Sequence, residues 1–308
     1  MSPQALDVSV VVPTYDRPQA VRRALQAMTE LDYPRSRFEV IVVDDGSPVA
    51  LEEVIAPFRR HLDLTLVRQS NAGPAAARNT GANRAKGKFV AFTDDDCTPA
   101  RGWLRTLEAR LAAAPDHIIG GRTVNALVTN RYSVASQQLI DYLYVYYGAP
   151  RAQPRFFASN NMALQTDCLL EVGGFDTTFR RPGGEDREFC DRWQHAGYQL
   201  TFAPEAIVYH AHPMTAHSFW QQQFNYGCGA YHFHRARARR SAMGVKLEPL
   251  SFYWNLLCHP FTQTPPRQAL AVAALLVVSQ GATAAGFFRE MLRQRRQGSR
   301  WPRPTATH

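Results

Sequence analysis

Phe89-Val90-Ala91-Phe92-Thr93-Asp94-Asp95-Asp96-Cys97-Thr98-Pro99 runs from a mostly apolar, β-prone stretch straight into three adjacent carboxylates. An apolar run without polar alternation fits a strand covered on both faces, as in a parallel sheet. Three neighbouring carboxylates repel one another, so their placement at a strand end calls for a compensating charge. A divalent cation such as Mn²⁺ or Mg²⁺ is one such charge, because it takes oxygen ligands and bridges to phosphates. A solvated acidic turn, with Asp96 capping a helix near Trp103, is the other reading.

The same pattern recurs twice upstream. Val8–Val12 is a branched, apolar run that closes on Pro13-Thr14-Tyr15-Asp16, and Phe38–Val43 closes on Asp44-Asp45-Gly46-Ser47. For the second of these, a turn with a helix cap is an equally good local explanation. Between the runs, Arg17–Glu30 has helical spacing through Val21, Leu25 and Met28, and Pro18 suits a first turn. Leu51–Arg60 and Pro74–Lys86 also read as helices, and Leu64–Val67 as a short strand. This alternation predicts an α/β fold with a mainly parallel sheet and flanking helices. Ligands of such sheets bind beyond the carboxyl ends of the strands, where all three polar ends would converge. Asn71–Gly81 is a loop feeding a helix of small residues; Arg78 on it could face a phosphate, and the small side chains equally suit tight packing on the sheet.

Beyond residue 115 the alternation is lost. Ser133–Tyr147 and Glu185–His195 read as helices, Tyr198–Phe202 and Ala206–Tyr209 as strands. The segment RRPGGEDREFCDRW presents Glu185 and Asp186 after a glycine-rich loop, a suitable seat for a general base, although acids also favour a first helical turn for its dipole. In IVYHAHP, His210 and His212 two apart on a strand would face the same way and could complete an Asp-rich metal site. Tyr142, Tyr144, Tyr146 and Trp220 are candidates to stack on sugars, or else core aromatics.

Composition bounds the partners. The 308-residue chain carries a net charge of +9, but residues 1–234 (23 basic, 24 acidic) are at −1 and residues 235–308 (12 basic, 2 acidic) at +10. A body without surplus positive charge is not built to neutralise a nucleic-acid backbone, so nucleic acid is not an expected partner. Cys97, Cys168, Cys190, Cys228 and Cys258 are scattered, with no C-x-x-C pair, so neither a zinc finger nor a disulfide framework is expected. MSPQALDVSVVVP has no basic n-region followed by an apolar h-region, and no secretory signal is expected. Gln268–Phe288 is uncharged, between Arg267 and Arg289. Three readings fit it: a membrane span, a helix lying in the membrane interface, or a buried helix. Arginines on both sides and the aromatics Phe252, Tyr253 and Trp254 point to attachment at an anionic membrane surface, on the cytoplasmic face of the inner membrane.

Taken together, VVVPTYDRP (10–18), VVDDGSP (42–48), NAGPAAARNTG (71–81), FTDDDCTP (92–99), EVGGFD (171–176) and GGEDREFC (183–190) resemble the inverting nucleotide-sugar glycosyltransferases of family 2, which have the GT-A fold. The motifs occur in that family's order over about residues 6–212. The resemblance implies a nucleotide-sugar-binding half (1–115), an acceptor-binding and catalytic half (116–234) and a C-terminal extension (235–308). It implies that Pro13, Thr14, Tyr15, Asp16, Asp44 and Asp45 surround the nucleotide base, with a UDP-sugar the expected donor. Arg78 would lie near the nucleotide, Asp94 and Asp95 near the ribose. Asp96 would be the metal ligand, joined by Asp94 and by His210, His212 ranking behind it, on Mn²⁺ or Mg²⁺. Asp186 would be the catalytic base, with Glu185 supporting it or touching the acceptor. Processive synthases of the family carry Q-x-x-R-W well after the acidic pair. Here Arg192-Trp193 follows it at once and position 189 is Phe, so transfer of one sugar to a glycan or lipid-linked acceptor is expected, in cell-envelope or exopolysaccharide synthesis. A nucleotidyltransferase would want a glycine-rich, basic loop where this chain has PTYDRP; a non-catalytic glycan-binding relative would have no need of Asp186 and the three metal-site aspartates.

Overall fold

A computed structural model describes residues 6–148, 154–241 and 248–298. Arg300 and Arg303, at the end of the basic tail, lie outside the described residues. In chain order the elements are β1 (Val8–Thr14), α1 (Pro18–Thr29), β2 (Phe38–Asp44), α2 (Glu52–Ile55), β3 (Asp63–Arg68), α3 (Pro74–Ala82), β4 (Phe89–Thr93), β5 (Cys97–Pro99), α4 (Trp103–Ala113), β6 (His117–Asn125), α5 (Arg131–Tyr146), β7 (Asn161–Gln165), α6 (Thr166–Val172), α7 (Glu185–His195), β8 (Gln199–His210), α8 (Ala216–Arg240), α9 (Leu250–Cys258), α10 (Pro260–Gln263) and α11 (Pro266–Arg296).

All eight strands form one sheet in the order β3-β2-β1-β4-β7-β6-β8-β5. β3, β2, β1 and β4 are mutually parallel, and the pairing Thr14↔Asp44 brings the ends of β1 and β2 level. Every residue of β1, β2 and β4 is buried, as their largely apolar runs require, and the polar exceptions within them, Ser9 and Glu39, bond each other at 2.7 Å. Val10 and Val12 join the core on one face with Leu25 and Trp103; Val11 joins the other with Phe92, Phe175 and Trp193. α3 lies close against β1: a Cβ on Gly81 would stand 2.3 Å from Val11 Cγ1. The small residues of Asn71–Gly81 therefore do serve tight packing.

The second half of the sheet departs from the expected pattern. β7 runs antiparallel to both β4 and β6, which makes the sheet mixed, and β6 and β8 are again parallel. The two expected strands at 198–202 and 206–209 are one strand, β8, with an irregularity opposite Gly121 and Arg122. The helix expected over 51–60 is a single turn, α2, continued by a 3₁₀ turn at Ala56–Phe58, because Pro57 has no N–H to extend an α ladder. α3 stops at Ala82, short of the expected Lys86.

Residue 234, the expected end of the second half, falls inside α8. That helix runs on beside α11, which also packs on α5 and α9 around Val134, Leu139, Tyr142, Phe252, Val272 and Leu276. The five cysteines are free thiols.

Candidate active site

The sheet changes winding direction between β1 and β4, since β2 and β3 lie to one side of β1 and β4 to the other. A crevice opens at such a point. A cleft of about 1700 Å³ lies there and continues under α5, α8 and α11. Its wall includes Pro13, Thr14, Tyr15, Asp45, Arg78, Asp94, Asp95, Asp96, Glu185, Asp186, His210 and His212. Asp16 and Asp44 do not line it. Asp16 is exposed with φ 54°, a left-handed conformation that aspartate tolerates, and its N–H donates to Ser47 Oγ at 2.8 Å. Asp44 is fully buried: its Oδ1 accepts the Ser47 N–H (2.8 Å) and its Oδ2 lies 3.7 Å from Arg68 Nε. Both brace the turn behind the cleft.

Asp45 faces the cleft but spends its oxygens on the chain. Oδ1 accepts from Gln69 Nε2 (2.7 Å) and Ala72 N (2.9 Å), and Oδ2 from Gly73 N (2.8 Å). It thereby ties the end of β2 to the loop that starts α3.

The three aspartates after β4 point three ways. Asp94 Oδ1 accepts from Arg78 Nη2 at 2.7 Å. Asp95 accepts from Thr14 Oγ1 at 2.6 Å and from Arg17 Nη1 at 3.3 Å, which stitches the end of β4 to the end of β1. Burial pushes the Asp95 carboxyl up to about 6, against the pull of Arg17. Asp96 Oδ1 lies 3.2 Å from His210 Nε2, and its Oδ2 lies 3.0 Å from His212 Nδ1 and 2.8 Å from Arg17 Nη1. Burial alone would raise the Asp96 carboxyl, but the hydrogen bonds from the two histidines, reinforced by Arg17, hold it far below the usual carboxylate range. The same contact raises His210, against the opposite effect of its burial. Asp96 caps no helix: α4 begins after Gly102, so the capping reading of the acidic turn does not apply.

Donor atoms of Asp96, His210 and His212 lie within 4.8 Å of one another. Two imidazoles and a carboxylate make a mixed N/O donor set that suits a first-row transition ion such as Mn²⁺ better than all-oxygen Mg²⁺. These residues fit a divalent cation. Asp94 is not in this group and faces Arg78 instead. His210 arrives on the last residue of β8, paired with Cys97 just after Asp96; His212 follows two residues on.

On the opposite wall, α7 starts from Gly184 at φ +92°, where a Cβ would also come within 2.9 Å of the Gly229 backbone. Only glycine fits this turn, and it aims Glu185 and Asp186 at the cleft. The buried Arg78 spans the two walls, giving Nη2 to Asp94 and Nη1 to Glu185 at 3.2 Å. Glu185 Oε2 also takes the Gly183 N–H at 2.8 Å. Asp186 receives the Arg187 backbone N–H at 2.8 Å. Burial, with the Glu185 charge beside it, pushes the Asp186 carboxyl up to about 7.

One partner of this cluster stands outside the residues expected to form it. Arg17 follows the Tyr15-Asp16 strand end directly, and no spacing rule marks it. His212 was legible two residues beyond His210 but ranked behind it; here it is as close to Asp96 as His210 is. The aromatic candidates need correction, because none of Tyr142, Tyr144, Tyr146 and Trp220 lines the cleft. Tyr142 is buried against Phe252, and its hydroxyl donates to Phe252 O at 2.7 Å. Tyr144 sits edge-on to Phe156, Phe157 and Phe202. Their apolar rings fill core under α5. Tyr147 and Tyr226 line the cleft instead.

Comparison with known proteins bears on the family and the fold. The chain is 29% identical over 231 residues to the glycosyltransferase AglE of Haloferax volcanii, covering 72% of each. It is 31% identical over 237 residues to the pre-mycofactocin glycosyltransferase of Mycobacterium tuberculosis, covering 74% of this chain and 47% of that relative, so it spans about half of the latter's length. Among solved structures, the mannosyltransferase PcManGT of Pyrobaculum calidifontis, in complex with GDP-Man and Mn²⁺, superposes with a TM-score of 0.65 at 21% identity, over 94% of this chain and 88% of that one. Residues 1–349 of Staphylococcus aureus TarS, in complex with UDP-GlcNAc, superpose with a TM-score of 0.54 at 18% identity, over 96% of this chain and 93% of that one. Both are likenesses of fold. Residues 9–181 match the model of the family described as glycosyl transferase family 2. That match spans β1 to the threshold of α7, so the chain belongs to glycosyl transferase family 2 and is a glycosyltransferase of GT-A fold.

Proposed function

We propose that the protein transfers a single sugar, with inversion, from a nucleoside-diphosphate sugar to a hydroxyl of a glycan or lipid-linked acceptor. The observation that carries this reading is the partition of carboxylates across one cleft. Asp96 is held ionised among two histidines and Arg17, whereas Asp186 faces it from α7 with its carboxyl pushed up to about 7. A group poised near neutral pH exchanges protons readily, which is what a general base requires. Asp186 removes the acceptor hydroxyl proton as that oxygen attacks the anomeric carbon. Glu185, held by Arg78 and the Gly183 N–H, positions Asp186. A single base opposite the leaving group suffices for one displacement, hence inversion.

Asp96, His210 and His212 would hold Mn²⁺, with Asp94 turned toward Arg78. A divalent cation there neutralises charge that builds on the departing diphosphate. Thr14 and Arg17 fix Asp95 beside it, where the ribose would lie, and Pro13, Tyr15 and the Asp45-braced loop form the wall for the base. GDP-Man and UDP-GlcNAc, bound by the two structural neighbours, are donors of this chemical class. A cytoplasmic, inner-membrane location follows from where such donors are available.

The test is a panel of nucleotide sugars, assayed for donor hydrolysis and transfer with and without Mn²⁺. Turnover of at least one donor, dependent on Mn²⁺ and lost in Asp186→Asn, is expected. Full activity in Asp186→Asn, or in the presence of a chelator, would overturn the assignment.

A further inference from the structure

α11 is long and apolar enough to cross a membrane, with mean hydropathy 1.8 in its most apolar 18-residue window, yet one third of that window is buried in the protein. The buried positions, Ala269, Val272, Leu276, Ser279, Ala282, Gly286 and Glu290, repeat every three or four residues and form one face. On the opposite face Leu270, Ala274, Val277, Val278, Gly281, Ala285, Phe288 and Leu292 follow the helical period and are exposed. The stripe is about 33 Å long at 1.5 Å per residue. Arg267 stands at one end of it, and Arg295 and Arg296 at the other, on the same side of the helix by the 3.6-residue period, and all three are exposed. Trp254 of α9 and Phe261 of α10, on the helices leading into α11, are exposed at 69% and 51%.

A stripe of this length with cationic ends also matches a membrane span, but the helix beside it argues otherwise. α8 runs parallel to α11 in continuous contact, from Thr283 Oγ1 on Gln223 O (3.3 Å) through Cys228 Sγ on Gly286 O (3.4 Å) to Arg235 Nη1 on Gln294 Oε1 (3.0 Å). α8 carries Gln221, Gln222, His232, His234 and Arg235 along that stretch. A spanning α11 would drag these into hydrocarbon, where polar side chains are costly. Self-association on the stripe would bring Arg267 against Arg267, or against Arg295 and Arg296, so like charges oppose a second copy. An anionic lipid surface satisfies both the apolar stripe and its cationic ends.

We propose that α9–α11 form an interfacial docking surface, on which α11 lies in the plane of an anionic bilayer with its Leu270–Leu292 stripe among the acyl chains and its end arginines among the headgroups. Phe288 and Tyr253 also border the cleft, so docking sets the cleft mouth at headgroup level.

The test uses the full chain and vesicles of phosphatidylethanolamine with one quarter phosphatidylglycerol, against pure phosphatidylcholine. The chain is expected to sediment with the anionic vesicles, to bind phosphatidylcholine at least tenfold more weakly, and to be released by alkaline carbonate. Leu270→Glu with Val277→Glu should weaken vesicle binding at least tenfold, and so should Arg295→Glu with Arg296→Glu. Donor hydrolysis should be unchanged in both, which separates this proposal from the catalytic one. Brominated acyl chains should quench the fluorescence lost in Trp254→Phe, a readout on the native surface that does not depend on the charge variants folding. Absence of vesicle binding, retention through carbonate extraction, or a solution dimer that Leu270→Glu with Val277→Glu dissolves would each overturn it.

Discussion

Asp96 after β4 and Asp186 at the start of α7 line one cleft, and their carboxyls behave in opposite ways. At β4 the fold delivers an arginine to every aspartate, Arg78 to Asp94 and Arg17 to Asp95 and Asp96, and sets His210 and His212 against Asp96 as well. At α7 Arg78 bonds Glu185, while Asp186 takes the Arg187 backbone N–H and feels Arg78 and Arg187 only through space. Chemically identical groups therefore end with Asp96 far below its ordinary range and Asp186 at about 7. Burial acts upward at both places; hydrogen bonds from His210 and His212, reinforced by Arg17, reverse the sign at Asp96, whereas Asp95, with Thr14 and Arg17 alone, stays raised at about 6. A carboxylate that stays ionised is suited to a cation, and one poised near neutrality to moving a proton.

The largest effect expected from breaking this contrast is at Asp186. Asp186→Asn should lower transfer by about 10²–10⁴-fold, the usual contribution of a general base, while donor affinity measured by calorimetry stays within about twofold. Removing the arginine that feeds both walls comes next. Arg78→Met strands a buried Glu185 and should cost about 3 kcal/mol of stability, read from the urea midpoint. At the other wall, His210→Ala or His212→Ala should weaken Mn²⁺ binding by about 10–100-fold, read by titration, and equal losses would make the two histidines equivalent partners of Asp96.

The pH dependence is graded. As a base, Asp186 works deprotonated, so the rate should fall about tenfold per unit as pH drops below about 7 and level off above it. A flat profile from pH 5.5 to 8.5 would erase the contrast. The smallest effect is on stability. Because its carboxyl is raised on folding, the folded state holds the Asp186 proton more tightly, and stability declines as pH rises from about 4 through 7. Asp186→Asn should therefore raise Tm at pH 8 and leave it unchanged near pH 4.

Much of this arrangement is legible along the chain. Val8–Val12, Phe38–Val43 and Phe89–Thr93 are largely apolar runs, interrupted only by Ser9 and Glu39, because both faces of those strands are covered, and each is followed by polar residues that reach the crevice. The antiparallel insertion of β7 is not legible, since Asn161–Gln165 carries no mark of its neighbours in the sheet. Nor is the role of Tyr142 or Tyr144, because an aromatic under a helix and one in a cleft have the same local sequence. Arg17 escapes for a related reason: its contact with Asp96 joins residues 79 positions apart, and no period connects them.

What the sequence by itself determined is the strand–helix alternation, the acidic strand ends and the split between a neutral body and a basic tail, since each follows from local propensity and periodicity. Tertiary structure alone decided which cation meets which carboxylate, and that one face of α11 is buried against α8 while the other stays open. Both outcomes depend on distances between chain-remote groups, and electrostatic compensation and burial are set by those distances.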